Sequence, residues 1–149
     1  MTKTLTATVH IDASADQVWA VLTDFDGYAA WNPFIISAKG APVPGGRLVL
    51  RMQPVGGSAT TLRPRLVEVT ASRRLRWLGR LGVPGLFDAE HDFILRPQGS
   101  GTELTQREVF RGALVPLFAR MLDRSTLPAF VAMNTALKVK VEEQAAARV

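Results

Sequence analysis

The amino-acid sequence predicts an α+β fold: a curved antiparallel sheet followed by one long C-terminal helix. Three features carry this expectation. Residues 3–12 alternate apolar and polar with period two. Residues 34–111 read as further strands separated by turns that are mostly rich in glycine or proline. After Gly112 the apolar spacing changes from that of a strand to that of a helix. A chain of 149 residues suits one domain, residues 1–149, with its own core.

In the first strand Leu5, Ala7, Val9 and Ile11 share one face, and Thr4, Thr6, Thr8 and His10 the other. Ser14 with Gln17 three residues later is a capping box, and Val18, Val21, Leu22 and Phe25 follow at helical spacing. Asp26-Gly27 breaks that helix, and a second short one ends at Trp31. Pro33 excludes helical geometry at Asn32, so residues 31–34 form a fixed corner into extended chain. Six more strands are expected at residues 34–39, 47–53, 60–70, 74–80, 86–96 and 102–111, making seven in all. Pro116 and Pro128 divide the remainder into a short basic helix, 117–124, and a long one beginning at Pro128. The long helix carries Phe130, Met133, Asn134, Leu137 and Val141 on one stripe.

Composition narrows the function classes. The net charge of +5 rests mostly on arginines that alternate with apolar residues along strands, as on solvated outer faces. With 7% aromatic residues there is no stacking platform, so nucleic acid is not the expected partner. The absence of cysteine removes disulfides, thiolate metal sites and a cysteine nucleophile. The two histidines, His10 and His91, form no metal-ligand cluster, and there is no nucleophile elbow, phosphate loop or dinucleotide fingerprint. No cofactor or metal is expected. The first residues run straight into a strand pattern, without a signal-peptide core or a membrane-spanning run, so a cytoplasmic protein is the expectation.

Five strings, in this order, resemble the polyketide cyclase/dehydrase and START-like (SRPBCC) superfamily. They are residues 13–34 (ASADQVWAVLTDFDGYAAWNPF), 75–79 (LRWLG), 87–97 (FDAEHDFILRP), 101–116 (GTELTQREVFRGALVP) and 134–138 (NTALK). The resemblance implies the helix-grip fold, with a seven-stranded sheet wrapped around the last helix and two short helices between strands one and two. It also implies an internal pocket between the concave face of the sheet and that helix. Members of the superfamily include lipid carriers, hormone- and allergen-type binding proteins, aromatase/cyclases and chaperone activators, so fold alone does not select an activity.

Parity sorts the pocket's candidate lining. Along residues 86–96 the odd positions Phe87, Ala89, His91, Phe93 and Leu95 face inward; along 102–111 the even positions Leu104, Gln106, Glu108 and Phe110 do so. A turn at Gly99-Ser100 sets His91 opposite Glu108, Phe93 opposite Gln106 and Ala89 opposite Phe110. His91 and Glu108 thus form a polar pair in an apolar surround. The pair is either a mutually satisfied structural contact or a ligand anchor able to donate or accept a proton. Further candidates are Trp31 and Phe34 at the corner, Leu50, Met52 and Leu62 on the following strands, and Trp77. Phe118 comes from the short basic helix, and Phe130, Asn134 and Leu137 from the long one. The apolar segment 110–122, flanked by Arg111 and Arg120, reads as a packed connector, with a lid or a transient membrane contact as further readings.

Three functions fit this reading. The first is binding or carriage of a small hydrophobic molecule: a lipid, polyketide or aromatic metabolite. The second is a polyketide aromatase/cyclase using His91 and Glu108 for acid–base chemistry. Cyclase members of the superfamily commonly use arginine and tyrosine in the pocket, whereas here the only tyrosine, Tyr28, lies outside the strands and the arginines mostly sort outward. The third is a protein-interaction module of the chaperone-activator type, acting through the outer surface. The edges of the sheet allow a monomer or a homodimer.

Overall fold

The structure, a computed structural model, describes residues 1–148. β1 (Thr2–Ile11) leads into α1 (Ala15–Thr23), a 3-10 turn (Phe25–Gly27) and α2 (Tyr28–Trp31). The strands β2 (Ile35–Lys39), β3 (Val49–Met52), β4 (Thr60–Leu62), β5 (Arg65–Thr70), β6 (Arg74–Arg80), β7 (Asp88–Gln98) and β8 (Gly101–Arg111) follow. α3 (Val115–Met121) and α4 (Leu127–Ala147) complete the chain, which is the helix-grip arrangement.

The capping box forms as the sequence predicts: the Gln17 amide donates to Ser14 Oγ (3.2 Å), and Gln17 Oε1 accepts from the Ser14 amide (2.9 Å). At the corner, Asn32 Oδ1 accepts from the Phe34 and Ile35 amides, both at 2.9 Å, and so directs the chain into β2. Tyr28 is fully buried and donates its hydroxyl to the Leu22 carbonyl; burial first, then the nearby Asp24 charge, pushes the phenol pKa up.

Among the described residues the strands number eight, not seven, and form two sheets in the orders β1-β8-β7-β6-β5 and β2-β3-β4. The strand expected at 60–70 is split at Arg63-Pro64, because proline cannot donate to a ladder. Backbone bonds from Leu48 to the Pro64 carbonyl (2.9 Å) and between Leu66 and Gly46 (2.8 Å) stitch the two sheets into one curved wall. A second departure lies between the C-terminal helices, which join through a π-helical turn (Leu122–Thr126) rather than a break. Pro128 has no N–H and its ring would clash with the carbonyl one turn earlier, so the backbone widens ahead of it.

α4 lies across the concave face and buries Phe130, Met133, Asn134, Leu137 and Val141. Polar bonds along one edge position it on β1. Asn134 Nδ2 donates to the Ala7 carbonyl (3.1 Å), Lys138 Nζ to the His10 carbonyl (2.8 Å), and the Asp12 amide to Glu142 Oε2 (2.9 Å). No helix among the described residues is long and apolar enough to cross a membrane.

On the convex face the basic residues meet carboxylates. Arg74 forms a bidentate pair with Asp92 (2.8 Å twice), Arg107 reaches the same carboxylate (3.0 Å), and Arg76 pairs with Glu90 (3.0 Å). Burial alone would raise the Asp92 carboxyl, but the hydrogen bonds and charges of Arg74 and Arg107 outweigh it and hold it below its ordinary value. The unfolded chain therefore takes up this proton first on acidification. The stabilisation is complete above the ordinary carboxylate value of about 4 and is lost as pH falls through the folded-state value. Asp92→Asn is expected to cost about 2 kcal/mol at neutral pH, since hydrogen bonds to charged groups are worth roughly that much. Urea unfolding across a pH series should show the gap between the two proteins closing on acidification. A gap that does not change with pH would contradict this assignment.

Candidate functional site

α4 covers only part of the concave surface. Beyond its N-terminal end, the sheet, the β3–β4 hairpin and the π-helical turn line a cavity of about 260 Å³ that opens to the surface on one side. Phe34, Met52, Leu62, Trp77, Phe87, Ala89 and Phe110 supply apolar wall from the sheet side, and Met121, Leu122 and Thr126 close the helical side. Two charged side chains line it. Arg80 sits half-exposed, paired with Asp88 (3.4 Å), whereas Glu108 is 7% exposed.

Glu108 opens a chain of buried polar contacts that runs away from the cavity into the core. The β7–β8 turn, with Gly99 at φ +61°, sets the register His91 opposite Glu108, Phe93 opposite Gln106 and Ala89 opposite Phe110. Glu108 Oε2 lies 3.1 Å from His91 Nδ1, and His91 Nε2 lies 2.9 Å from Gln106 Oε1. Gln106 Nε2 donates to Asn134 Oδ1 (2.8 Å) and to the Phe130 carbonyl (3.3 Å). Asn134 Nδ2 completes the chain on the Ala7 carbonyl. His91 is fully buried in an aromatic box: Trp77 stacks on it at 5.0 Å and 20°, with Phe93 at 4.8 Å and Phe130 at 5.0 Å.

Eight of the residues expected to line a pocket do face this cavity: Phe34, Met52, Leu62, Trp77, Phe87, Ala89, Glu108 and Phe110. The others do not. Leu50, Phe93, Phe130 and Leu137 belong to the packed core, and His91, Gln106 and Asn134 form the polar chain behind the wall. Phe118 stands in a second layer, edge-on to Phe87 (5.4 Å), and Trp31 packs on Tyr28 (5.2 Å). Parity assigns these strand residues to the correct face, but parity does not say how much of that face the helix covers. The Asn134–Ala7 bond draws α4 onto β1 and leaves no space there.

Sequence reasoning missed Pro54, Thr60, Pro64, Gly79, Arg80, Leu81, Met121, Leu122 and Thr126 in the lining, and Arg80 departs from the expectation that the arginines sort outward. Pro64 carried the available signal: it divides a strand, and the resulting bend brings β4 over the mouth. Met121 and Leu122 had one in the apolar run 110–122, which is not wholly a connector, since its last two residues form cavity wall.

These features define a helix-grip domain with an apolar cavity and a carboxyl in its wall. The chain belongs to the polyketide cyclase/dehydrase and lipid transport family, whose model matches residues 2–142. It is similar to the Zhui aromatase/cyclase from Streptomyces sp. R1128, with 20% identity and TM-score 0.79, covering 97% of this chain and 96% of that one. A START superfamily protein from Mycobacterium smegmatis shares 21% identity at TM-score 0.74, covering 95% and 98%. The di-domain aromatase/cyclase StfQ of the steffimycin biosynthetic pathway shares 15% identity at TM-score 0.79, covering 98% of this chain; the chain spans about half of its length, 53%. No curated protein matches in sequence. At these identities the structural likeness establishes the fold.

Asn134→Ala leaves one hydrogen of the buried Gln106 side-chain amide without its acceptor and removes the side-chain donor from the Ala7 carbonyl. Leaving buried groups unsatisfied costs about 1–3 kcal/mol each. The urea midpoint is expected to fall with little change in slope, as for a loss of stability in an otherwise similar fold. An unchanged midpoint would mean that the chain contributes nothing to holding α4.

Proposed function

We propose that this protein binds a small, largely apolar molecule in the cavity between the β3–β4 hairpin, the sheet and the π-helical turn. The observation that carries the reading is one buried carboxyl, Glu108, set in a wall otherwise composed mainly of aromatic, aliphatic and proline side chains. Binding sites typically combine such walls with a few polar groups that orient the ligand. Family membership supports the reading, since the family's description joins polyketide cyclisation or dehydration with lipid transport.

A second reading is an aromatase/cyclase or dehydrase. Glu108 favours it, being an ionisable group at the cavity surface backed by an imidazole at 3.1 Å, as acid–base chemistry requires. The titles of two structural neighbours name that activity for those proteins. Under this reading Glu108→Gln abolishes turnover while ligand binding persists; under pure binding or carriage no turnover is there to lose.

Occupancy is the first experiment. Native mass spectrometry of gently purified protein is expected to reveal a retained small molecule, and an apolar ligand should raise the melting temperature with the logarithm of its concentration once that exceeds the dissociation constant. Ala89→Phe places a ring in the cavity and is expected to abolish both signals while leaving the circular dichroism spectrum intact. Equal ligand-induced shifts in Ala89→Phe and the parent would place binding elsewhere.

A further inference from the structure

The direction of each hydrogen bond in the buried chain can be deduced from its far end. The Ala7 and Phe130 backbone carbonyls can only accept. Asn134 therefore turns its NH2 to Ala7 and its Oδ1 to Gln106, and Gln106 turns its NH2 to Asn134 and Phe130. That leaves Gln106 Oε1, an acceptor, 2.9 Å from His91 Nε2, so Nε2 carries a hydrogen.

At the other end, His91 Nδ1 and Glu108 Oε2 are 3.1 Å apart and enclosed, and two bare lone pairs would repel at that distance. One hydrogen therefore lies between them, on the imidazole or on Oε2. In either arrangement the second carboxyl oxygen, Oε1, bears no hydrogen and is an acceptor. Among the described residues it has no partner within the protein. Oε1 is not sealed away from solvent, and its residue lines the cavity.

We infer that the cavity selects ligands presenting a hydrogen-bond donor, a hydroxyl or N–H on an apolar ring system, to Glu108 Oε1, and discriminates against carboxylates and donor-free ethers. A carboxylate directed at Oε1 would set acceptor against acceptor beside a buried carboxyl, while Arg80, the other charged side chain of the lining, is half-exposed and already paired with Asp88 (3.4 Å); an ether would leave Oε1 desolvated and unpaired. The size of the cavity sets the scale of the ligand. A cavity of roughly 150 Å³ holds benzene, so about 260 Å³ accommodates a body of roughly two rings. This rests on the ligand-binding reading above and specifies its ligand class.

The test uses probes of one shape: naphthol, methoxynaphthalene, naphthoate and naphthalene, titrated calorimetrically into the full chain. Naphthol is expected to bind roughly ten- to a hundred-fold more tightly than the ether or the carboxylate, the effect of a hydrogen bond to a charged or buried group. Glu108→Gln is expected to keep that preference, because the new NH2 donates to His91 Nδ1 and leaves Oε1 facing the cavity. Glu108→Met is expected to bring naphthol and its ether to parity while naphthalene still binds. Binding of the ether or naphthoate as tight as that of naphthol in the parent protein overturns the inference and leaves the ligand-binding reading standing. Failure of all four probes to bind overturns both. Nitrogen-15 NMR of His91 tests the directions without any ligand or variant: Nε2 is expected to carry the hydrogen, and an unprotonated Nε2 overturns the inference.

Discussion

The buried chain from Glu108 through His91, Gln106 and Asn134 to the Ala7 carbonyl sets the position of the long helix on the sheet, and the cavity is what that position leaves over. Apolar contacts alone are tolerant of sliding, because dispersion and hydrophobic burial are non-directional. A row of directional bonds in a low-dielectric core is not tolerant, since a shifted register would leave several buried donors and acceptors unpaired. Ala7 permits the close approach: its small side chain lets the helix reach a strand carbonyl with an amide as short as asparagine's. Where the chain ends, at Glu108, so does the closely packed half of the concave face.

The two faces of β7 and β8 divide the ionisable groups by role. Asp92 and Arg107 point outward into the arginine network, whereas their neighbours His91 and Glu108 point inward into the polar chain. Outward, charges pair beside solvent and contribute to stability in a pH-dependent way. Inward, one carboxyl and one imidazole satisfy each other and present a single unpartnered oxygen to the cavity. The composition reads as basic, yet the arginines of β6 and β8 are engaged with Glu68, Asp88, Glu90 and Asp92 across the strands.

Much of this was legible in the sequence because strand geometry is binary. The two-residue turn at Gly99-Ser100 and the alternation of β7 and β8 were enough to pair His91 with Glu108, since side chains on a strand have two directions and the turn sets the register. The Ser14–Gln17 capping box and the Asn32-Pro33 corner are likewise local. Helix placement is different in kind. It depends on a contact between residues 7 and 134, distant in sequence, and nothing in the pattern of either segment shows how far along the sheet the helix extends. Hence the sequence pattern places Phe130, Asn134 and Leu137 on a pocket wall that the fold makes solid core. The lining supplied by Thr60, Pro64, Leu81 and Thr126 comes from a split strand, a loop and a π-helical turn, where neither period applies.

The geometry also separates what stabilises the domain from what shapes its cavity. The bonds holding α4 lie along β1, at Ala7, His10 and Asp12. The β3–β4 hairpin and the π-helical turn, which wall the cavity, lie beyond them and are joined by a backbone bond from the Val55 amide to the Ser125 carbonyl (3.1 Å). A single exposed bond of this kind is worth about 1 kcal/mol, against the several buried bonds and core side chains that hold the helix. Displacement of the hairpin would therefore widen the cavity without disturbing the chain that orients His91. Glu108 belongs to both parts, being the last member of the rigid chain and the carboxyl of the cavity wall, so the polarity offered to a ligand is set by bonds that ligand entry does not need to break.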